Sequence, residues 1–235
     1  MNRRALITGA SGGIGQACAR MLDKEYDLIL HYNQNRQACE KLASSLSGEP
    51  VLWQSDFSSR RPADNLPGAE EIDIVIHCAG RAVYGLFQDF SAEDWETCLR
   101  MEVAAPAAII RAVLPGMIRK EGGSVVLVTS IWGETGASME TMYSTVKSAQ
   151  HGLVKSLAKE AAPSGIRINA AAPGPVETPM MDTFSSAETQ SLKEEIPAGR
   201  FASPEEVASA AVYLSSGQAA YINGHILSIN GAWYT

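Results

Sequence analysis

The sequence predicts a single α/β domain spanning residues 1–235, in which an open, mostly parallel sheet of seven strands is covered by helices. Three observations predict it. Short runs rich in Val, Ile and Leu alternate with segments of helical periodicity along the whole chain. A glycine-rich turn joins the first strand to the first helix. At 235 residues and 46% hydrophobic content the chain can bury one substantial core, and no repeat or linker divides it.

Arg4 to Thr8 reads as the first strand. It runs into Thr8-Gly9-Ala10-Ser11-Gly12-Gly13-Ile14-Gly15, followed by a helix over Gln16 to Leu22. Glycines let the backbone turn tightly and approach a ligand closely. The helix N-terminus behind them offers free N–H groups and partial positive charge to a pyrophosphate. Gly9, Ser11, Gly13, Ile14 and Gly15 are therefore candidate nucleotide contacts. Asp27 to Tyr32 is the second strand, and its carboxyl end should meet the adenosine ribose. NAD sites usually place a carboxylate there to bind the 2′-hydroxyl, but here Tyr32 and Asn33 are followed by Arg36, with no acid before Glu40. Asn33 and Arg36 suit a 2′-phosphate, so NADP(H) is the expected cofactor. If NAD(H) binds instead, Arg36 is simply a solvated residue on the helix Gln34 to Leu46.

Val51 to Gln54 is the third strand, and Asp56 after it can accept from an adenine amino group or cap the next turn. Pro62, Pro67 and Gly68 make any crossover helix between Ser58 and Glu71 short or absent. Ile72 to Ile76 is the fourth strand, ending in His77-Cys78-Ala79-Gly80, and Ser91 with Asp94 can cap a long helix. The alternation continues through Ser124 to Ser130, Thr141 to Ala162 and Ile166 to Ala172. After a polar loop, a helix over Pro204 to Leu214 and a strand over Ile226 to Ile229 close the chain.

Composition excludes several functions. A net charge of -7 and a pI near 5.2 argue against a nucleic-acid partner, which would need a basic face. Met1 to Arg4 leads straight into Ala5-Leu6-Ile7, leaving no room for a signal peptide, and the apolar stretch from Ala104 to Leu114 is broken by Pro106 and Arg111. A cytoplasmic protein with no membrane partner is expected. The four cysteines, Cys18, Cys39, Cys78 and Cys98, form no C-x-x-C pair, and the four histidines form no ligand pattern, so no metal is expected.

The chemistry centres on Tyr143-Ser144-Thr145-Val146-Lys147. On a helix, Tyr143 and Lys147 share one face. A free tyrosine has a pKa of about 10 and exchanges protons poorly near neutrality. Lowering it by about three units requires about 4 kcal/mol, the attraction of one cation about 4 Å away at an effective dielectric of about 20. Ser130 stands at the end of the run Val125-Val126-Leu127-Val128 just before this helix.

The Gly9, Gly13, Gly15 turn, Cys78-Ala79-Gly80, Ser130, Tyr143 with Lys147, and Pro173-Gly174 followed by Glu177-Thr178 resemble, in order and spacing, the short-chain dehydrogenase/reductase family over nearly the whole chain. The resemblance implies a Rossmann-type doubly wound fold and NAD(P)H-dependent reduction of a ketone to a secondary alcohol. It implies that Tyr143 protonates the carbonyl oxygen, that Ser130 hydrogen-bonds it, and that Lys147 lowers the Tyr143 pKa and holds the nicotinamide ribose. Ala79, Gly80, Pro173 and Gly174 would line the nucleotide, with Thr178 and the backbone near Val176 at the carboxamide. A homotetramer is implied, with the long helices after Ser91 and Thr141 pairing across subunits. Such a reaction needs no nucleophile or metal, only an oriented nicotinamide and a proton source.

Two departures from the family matter. His77-Cys78-Ala79-Gly80 stands where the family usually has Asn-Asn-Ala-Gly, which should alter strand-end hydrogen bonds more than chemistry. Glu102 occupies the place of the family's fourth catalytic residue, an asparagine at a helix kink whose main-chain carbonyl holds a water in the proton relay. Pro106 disrupts the helical hydrogen bond to the Glu102 carbonyl, so the kink and a free carbonyl are expected to survive without the asparagine side chain. Otherwise Glu102 simply faces solvent.

Substrate choice is less determined. The segment 178–203, with Met180, Met181 and Phe184, should form a lid, and Trp132, Met139, Tyr84 and Phe87 line the pocket or belong to the core or a subunit contact. The chain resembles bacterial 3-oxoacyl-acyl-carrier-protein reductases, although Glu121 and Ser164 stand where those enzymes commonly offer basic residues to the carrier; Arg119, Lys120 and Arg167 are nearby substitutes. Ser130-Ile131-Trp132-Gly133, Gly136-Ala137-Ser138 and Ile229-Asn230-Gly231-Ala232-Trp233-Tyr234 resemble the reductases of the 5-aminopentanone group on elongation factor P. For that substrate, Glu102 or Glu134 could serve as counter-ion. A nucleotide-binding regulator without catalysis is the alternative of another class, and oxidation of an alcohol differs only in direction.

Overall fold

The computed structural model describes residues 3–235, with residues 182 and 183 described through their backbone alone. Met1 and Asn2, part of the N-terminal reading, lie outside them. Strands β1 (Arg3–Thr8), β2 (Tyr26–Tyr32), β3 (Val51–Gln54), β4 (Ile72–His77), β5 (Gly123–Val128), β6 (Ile166–Pro173) and β7 (Ile226–Ile229) form one sheet in the order β3-β2-β1-β4-β5-β6-β7. Every pairing is parallel, so the sheet is wholly rather than mostly parallel. Burial of both faces explains it: Ala5, Leu6 and Ile7 in β1, and Val125, Val126 and Leu127 in β5, are fully buried with no polar alternation.

One face is covered by α1 (Gly13–Leu22), α2 (Arg36–Ala43) and α8 (Pro204–Ser215), whose Cys18, Leu42, Val207 and Ala211 pack with Ile7, Leu30 and Ile76. The other is covered by α4 (Ala105–Arg119) and α6 (Thr141–Ala161), whose Ile109, Val113, Met117 and Val154 pack with Leu6, Val75 and Val125. The chain reverses its winding at β1, between β2 and β4, which opens a crevice at the carboxyl ends of the strands.

The 58–71 stretch holds only a single 3₁₀ turn, Ala69–Glu71, as its prolines require. Helix α3 (Ala92–Leu99) starts at the expected capping box of Ser91 and Asp94 and passes through a π turn, Arg100–Ala104, into α4. By length and composition the run Ala92–Arg119 could cross a membrane; Ile109, Ile110, Val113 and Met117 instead pack into the core. Two helices were not anticipated. Trp132–Thr135 (α5) is a single turn. Ser186–Glu195 (α7) lies inside the segment expected to be a lid, capped reciprocally by Ser185 and Glu188. That S-x-x-E signature was readable, but α7 buries no side chain, so the apolar periodicity that marks other helices is missing.

Candidate active site

The glycine turn is dictated by contact. Gly9 has φ +64°, and a Cβ there would lie 2.7 Å from the Ala79 nitrogen; one on Gly15 would lie 2.3 Å from the Gly9 carbonyl oxygen. A Cβ on Gly13 would meet Thr178 Cγ2 and Pro204 Cγ at 3.2 Å. These contacts bring the end of β4 and the loop after β6 against the start of α1. Gly12 gives α1 no side-chain cap, leaving the first-turn amides, including those of Gly13 and Ile14, for an anion. Ser11 is half-buried, its carbonyl accepting from Gln16 Nε2 at 3.1 Å. This cradle fits a dinucleotide pyrophosphate.

At the ribose end Tyr32 is buried and Asn33 exposed. Arg36 lies on the surface, paired to Glu40 at 2.8 Å, an exposed i,i+4 contact that solvent screens and that is easily exchanged for a phosphate. Asp56 caps the following turn: its Oδ1 accepts from the Ser58 amide at 2.8 Å and hydroxyl at 2.7 Å. On the far side, Gly174 packs on Asn230, its amide donating to Ile229 at 3.0 Å, and Val176 is bridged to Ala202. The Pro173 carbonyl accepts from the Ile131 amide at 3.1 Å, tying β6 to the Ser130 loop.

The His77 departure forms a buried stack. His31 lies 4.0 Å from Phe57, ring to ring, and Phe57 lies 5.8 Å from His77. His31 Nδ1 accepts the Gly9 amide at 3.1 Å while its Nε2–H donates to Ser55 at 3.0 Å, fixing its tautomer. Thr8 Oγ1 lies 2.9 Å from His77 Nδ1 and accepts the Ala79 amide at 3.2 Å. Burial holds His31 down at about 4; burial, with Lys147 and His31 nearby, holds His77 at about 3. Both are neutral braces for the glycine turn.

Beside them Ser130, Tyr143, Lys147 and Glu102 meet. The Ser130 side chain stands beside Tyr143 and helps hold its pKa down, and Lys147 Nζ lies 5.3 Å from the Tyr143 ring centre. Lys147 Nζ is 3.0 Å from Glu102 Oε2, with the two side chains 4% and 0% exposed. Glu102 therefore does not face solvent. Its position follows from the π turn: Pro106 has no N–H for the Glu102 carbonyl, and the Ala105 amide reaches back to Arg100. The kink is as expected, but the carbonyl is not free, since Gln150 Nε2 donates to it at 2.6 Å.

Electrostatics refine a second expectation. Lys147 pulls the Tyr143 pKa down, as the resemblance implies, but the net pKa stays above its ordinary value. Burial raises it, Lys147 opposes that, and Glu102 and Glu140 add to the rise. Burial alone would lower Lys147, but Glu102 and Tyr143 raise it on balance. Glu102 offsets part of the lysine's charge, while Lys147 still draws a phenolate at Tyr143 against the larger effect of burial.

Toward the substrate side, Tyr84 meets Phe184 edge-on at 6.1 Å, and Trp132 meets Trp233 at 5.0 Å. Phe87 turns instead to Trp95 at 6.0 Å. Met139 adopts φ +65° and accepts the Gly85 amide at 2.7 Å, joining the Tyr84 loop to the start of α6. Glu134 accepts from Ser228 at 2.9 Å. Sequence reasoning missed Glu140, half-buried beside Trp132 with its pKa raised by burial, and Gln150. Gln150 follows Lys147 by three positions, a same-face spacing that was available as a signal.

A family model described as enoyl-(acyl carrier protein) reductase matches residues 9–233. The chain is 47% identical over 241 residues to an uncharacterized oxidoreductase, YmfI, of Bacillus subtilis (strain 168), with all of both chains covered. It is 33% identical over 239 residues to the 3-oxoacyl-[acyl-carrier-protein] reductase FabG of Aquifex aeolicus (strain VF5), covering 98% of this chain and 96% of that one. A solved structure described as a short chain dehydrogenase/reductase family protein superposes with a TM-score of 0.89 at 26% identity, covering 97% of this chain and 96% of the other.

Proposed function

The chain belongs to the short-chain dehydrogenase/reductase family, and from that premise we propose that it is an NADPH-preferring reductase converting a ketone to a secondary alcohol. The observation that carries the reading is the meeting of Ser130, Tyr143 and Lys147 beside the glycine turn. Gly9, Ser11, Gly13, Ile14 and Gly15 would hold the pyrophosphate, Asn33 and Arg36 the 2′-phosphate, and Ala79, Gly80, Pro173, Gly174, Val176 and Thr178 the nicotinamide half. The cofactor, when bound, supplies the hydride. Tyr143 gives its hydroxyl proton to the carbonyl oxygen, Ser130 donates a hydrogen bond to that oxygen, and Lys147 steadies the phenolate left behind. Retention of all three side chains weighs against a silent regulator.

Two substrate readings compete. Similarity to FabG of Aquifex aeolicus favours a 3-oxoacyl thioester on acyl carrier protein. Against it, two of the basic residues that could greet an acidic carrier are engaged: Lys120 with Asp73 and the carbonyls of Glu71 and Ile72, and Arg167 with the carbonyls of Leu214, Ser215 and Ser216; Arg119, paired with Glu70 at the surface, stays exchangeable. Glu140, half-buried near Tyr143, favours the amine-bearing 5-aminopentanone group of elongation factor P. The counter-ion role passes to it because Glu102 is taken by Lys147 and Glu134 by Ser228. A cytoplasmic homotetramer goes with either reading, and its mass in solution tests that part.

The test is NADPH oxidation, with NADH as control, offering acetoacetyl thioester and amino-ketone-modified elongation factor P side by side. Turnover of the thioester alone assigns a carrier-protein reductase, and turnover of the modified factor alone a translation-factor maturation enzyme. Tight NADPH binding with no turnover of any ketone refutes the reductase reading.

A further inference from the structure

Glu102 is a carboxylate buried at a turn of the helix, where neither the fold nor ketone reduction calls for one. Its surroundings are nevertheless built for it. Oε2 receives Lys147 Nζ at 3.0 Å, Oε1 receives the Arg81 amide at 2.8 Å, and Gln150 Nε2 reaches Oε2 at 3.4 Å while holding the Glu102 carbonyl at 2.6 Å. Gly80 makes the space, since a Cβ there would lie 2.9 Å from Glu102 Oε1. Each of these partners is a donor, a set matched to a carboxylate.

We propose that Glu102 is a positioning residue and built-in counter-charge: by taking up the charge and one hydrogen bond of Lys147, it keeps the proton on Tyr143 and poises the site to donate a proton at neutral pH. This deepens the reductase reading and rests on Tyr143 being the proton donor. A lysine with no counter-charge would lower the pH at which Tyr143 loses the proton that a ketone oxygen must receive. A lysine answered by a buried carboxylate keeps the neutral hydroxyl to higher pH and so extends the alkaline range of ketone reduction. Gln150 and the Arg81 amide fix the carboxylate so that it cannot swing away from Lys147.

The other groups facing the pair do not replace this effect. Tyr143 faces Lys147 and Glu140 of its own helix, Glu102 of the π turn and Ser130 after β5. Lys147 faces Tyr143 and His151 along α6, Glu102 and Cys98 across the helix pair, and His77 and Cys78 at the end of β4. Arg81 faces Cys98. Burial holds His77 and His151 below their ordinary range and lifts Cys98, to about 11. Cys78 is raised chiefly by its contact with Cys18. At neutral pH these four are uncharged, so among the described residues Glu102 is the anion in contact with Lys147, with Glu140 adding a smaller push on Tyr143.

Ultraviolet titration of the tyrosine phenolate, wild type minus Tyr143→Phe, isolates Tyr143 without any substrate. In the wild type Tyr143 should remain protonated where an exposed tyrosine, of pKa about 10, has begun to ionise. In Glu102→Gln it should ionise at least about one unit lower, and Glu102→Asp, which keeps the charge, should largely restore the wild-type curve. A wild-type Tyr143 that ionises near neutrality overturns the proposal, so a variant that fails to fold leaves the test intact. Superimposable curves for wild type and folded Glu102→Gln also overturn it. In turnover, the alkaline limb of kcat for Glu102→Gln should move toward acid while KM for the ketone changes less than about twofold; an equal loss at every pH marks a merely structural residue and overturns the proposal. Titration as expected with no turnover of any ketone refutes the reductase reading and leaves the counter-charge standing.

Discussion

Two buried polar clusters lie side by side at the carboxyl edge of the sheet, and burial is met differently in each. Under the glycine turn, His31 and His77 stack around Phe57 and give up their charge. Around Lys147 the charge is kept and opposed by Glu102. Shedding a proton suits groups that only brace backbone, since a neutral imidazole still bonds Gly9, Ser55 and Thr8. Opposing a charge suits a group that must stay cationic to act on Tyr143. The two clusters should therefore fail differently: the histidines gradually as pH falls, the ion pair abruptly when one partner is removed.

The sharpest break comes from Lys147→Met. Turnover should fall by about a thousandfold or more, and urea denaturation should register a loss of roughly 3–5 kcal/mol because Glu102 is left buried and unpaired. Adding Glu102→Gln to that variant should return most of the stability and none of the activity. A double variant no more stable than Lys147→Met would remove the contrast between the clusters.

Acid should act on the other cluster. Both folded pKa values lie below the 6.5 of the unfolded histidine, so the unfolded chain binds protons first as pH falls. Their contribution is complete above about pH 6.5 and is lost down to about pH 4 for His31 and about pH 3 for His77. Each should cost roughly 2 kcal/mol between about pH 7 and pH 5. Denaturation midpoints across that range, compared with His77→Asn, should show a flatter slope in the variant.

Gln150→Leu sharpens the comparison on a smaller scale. It strips the Glu102 carbonyl of its 2.6 Å donor, and about 1–2 kcal/mol of stability should be lost, readable as a lower melting temperature, with the alkaline limb of kcat shifted in the same direction as for Glu102→Gln. Arg36→Ala, outside both clusters, should matter least. KM for NADPH should rise about fivefold with NADH unaffected, the modest effect of losing one exposed charge contact. Equal effects on both nucleotides would remove the 2′-phosphate assignment.

The nucleotide side was more legible than the proton side. Gly15 announces itself because it crowds the Gly9 carbonyl within the same turn, and Gly9 because its φ of +64° suits glycine, while the Ala79 backbone that also excludes a Cβ from Gly9 is visible only in the fold. Asp56 left two roles open, and only the fold shows it capping Ser58. Glu102 was readable as a departure, and Pro106 correctly placed the kink, but the partner of its carbonyl was not, because Gln150 lies 48 residues away. The basic residues offered for a carrier protein were visible as charges; their engagement with Glu70, Asp73 and the α8 carbonyls was not.

By itself the sequence determined the strand–helix alternation, the glycine turn and the shared face of Tyr143 and Lys147, because periodicity, chain reversal and i,i+4 spacing are set by neighbouring residues. Only the tertiary structure decided that burial lifts the Tyr143 pKa and that Lys147 is paired with Glu102. Those properties depend on how deeply each group is buried and on which charge stands within a few ångströms of it, and both are fixed by packing between segments far apart in the chain.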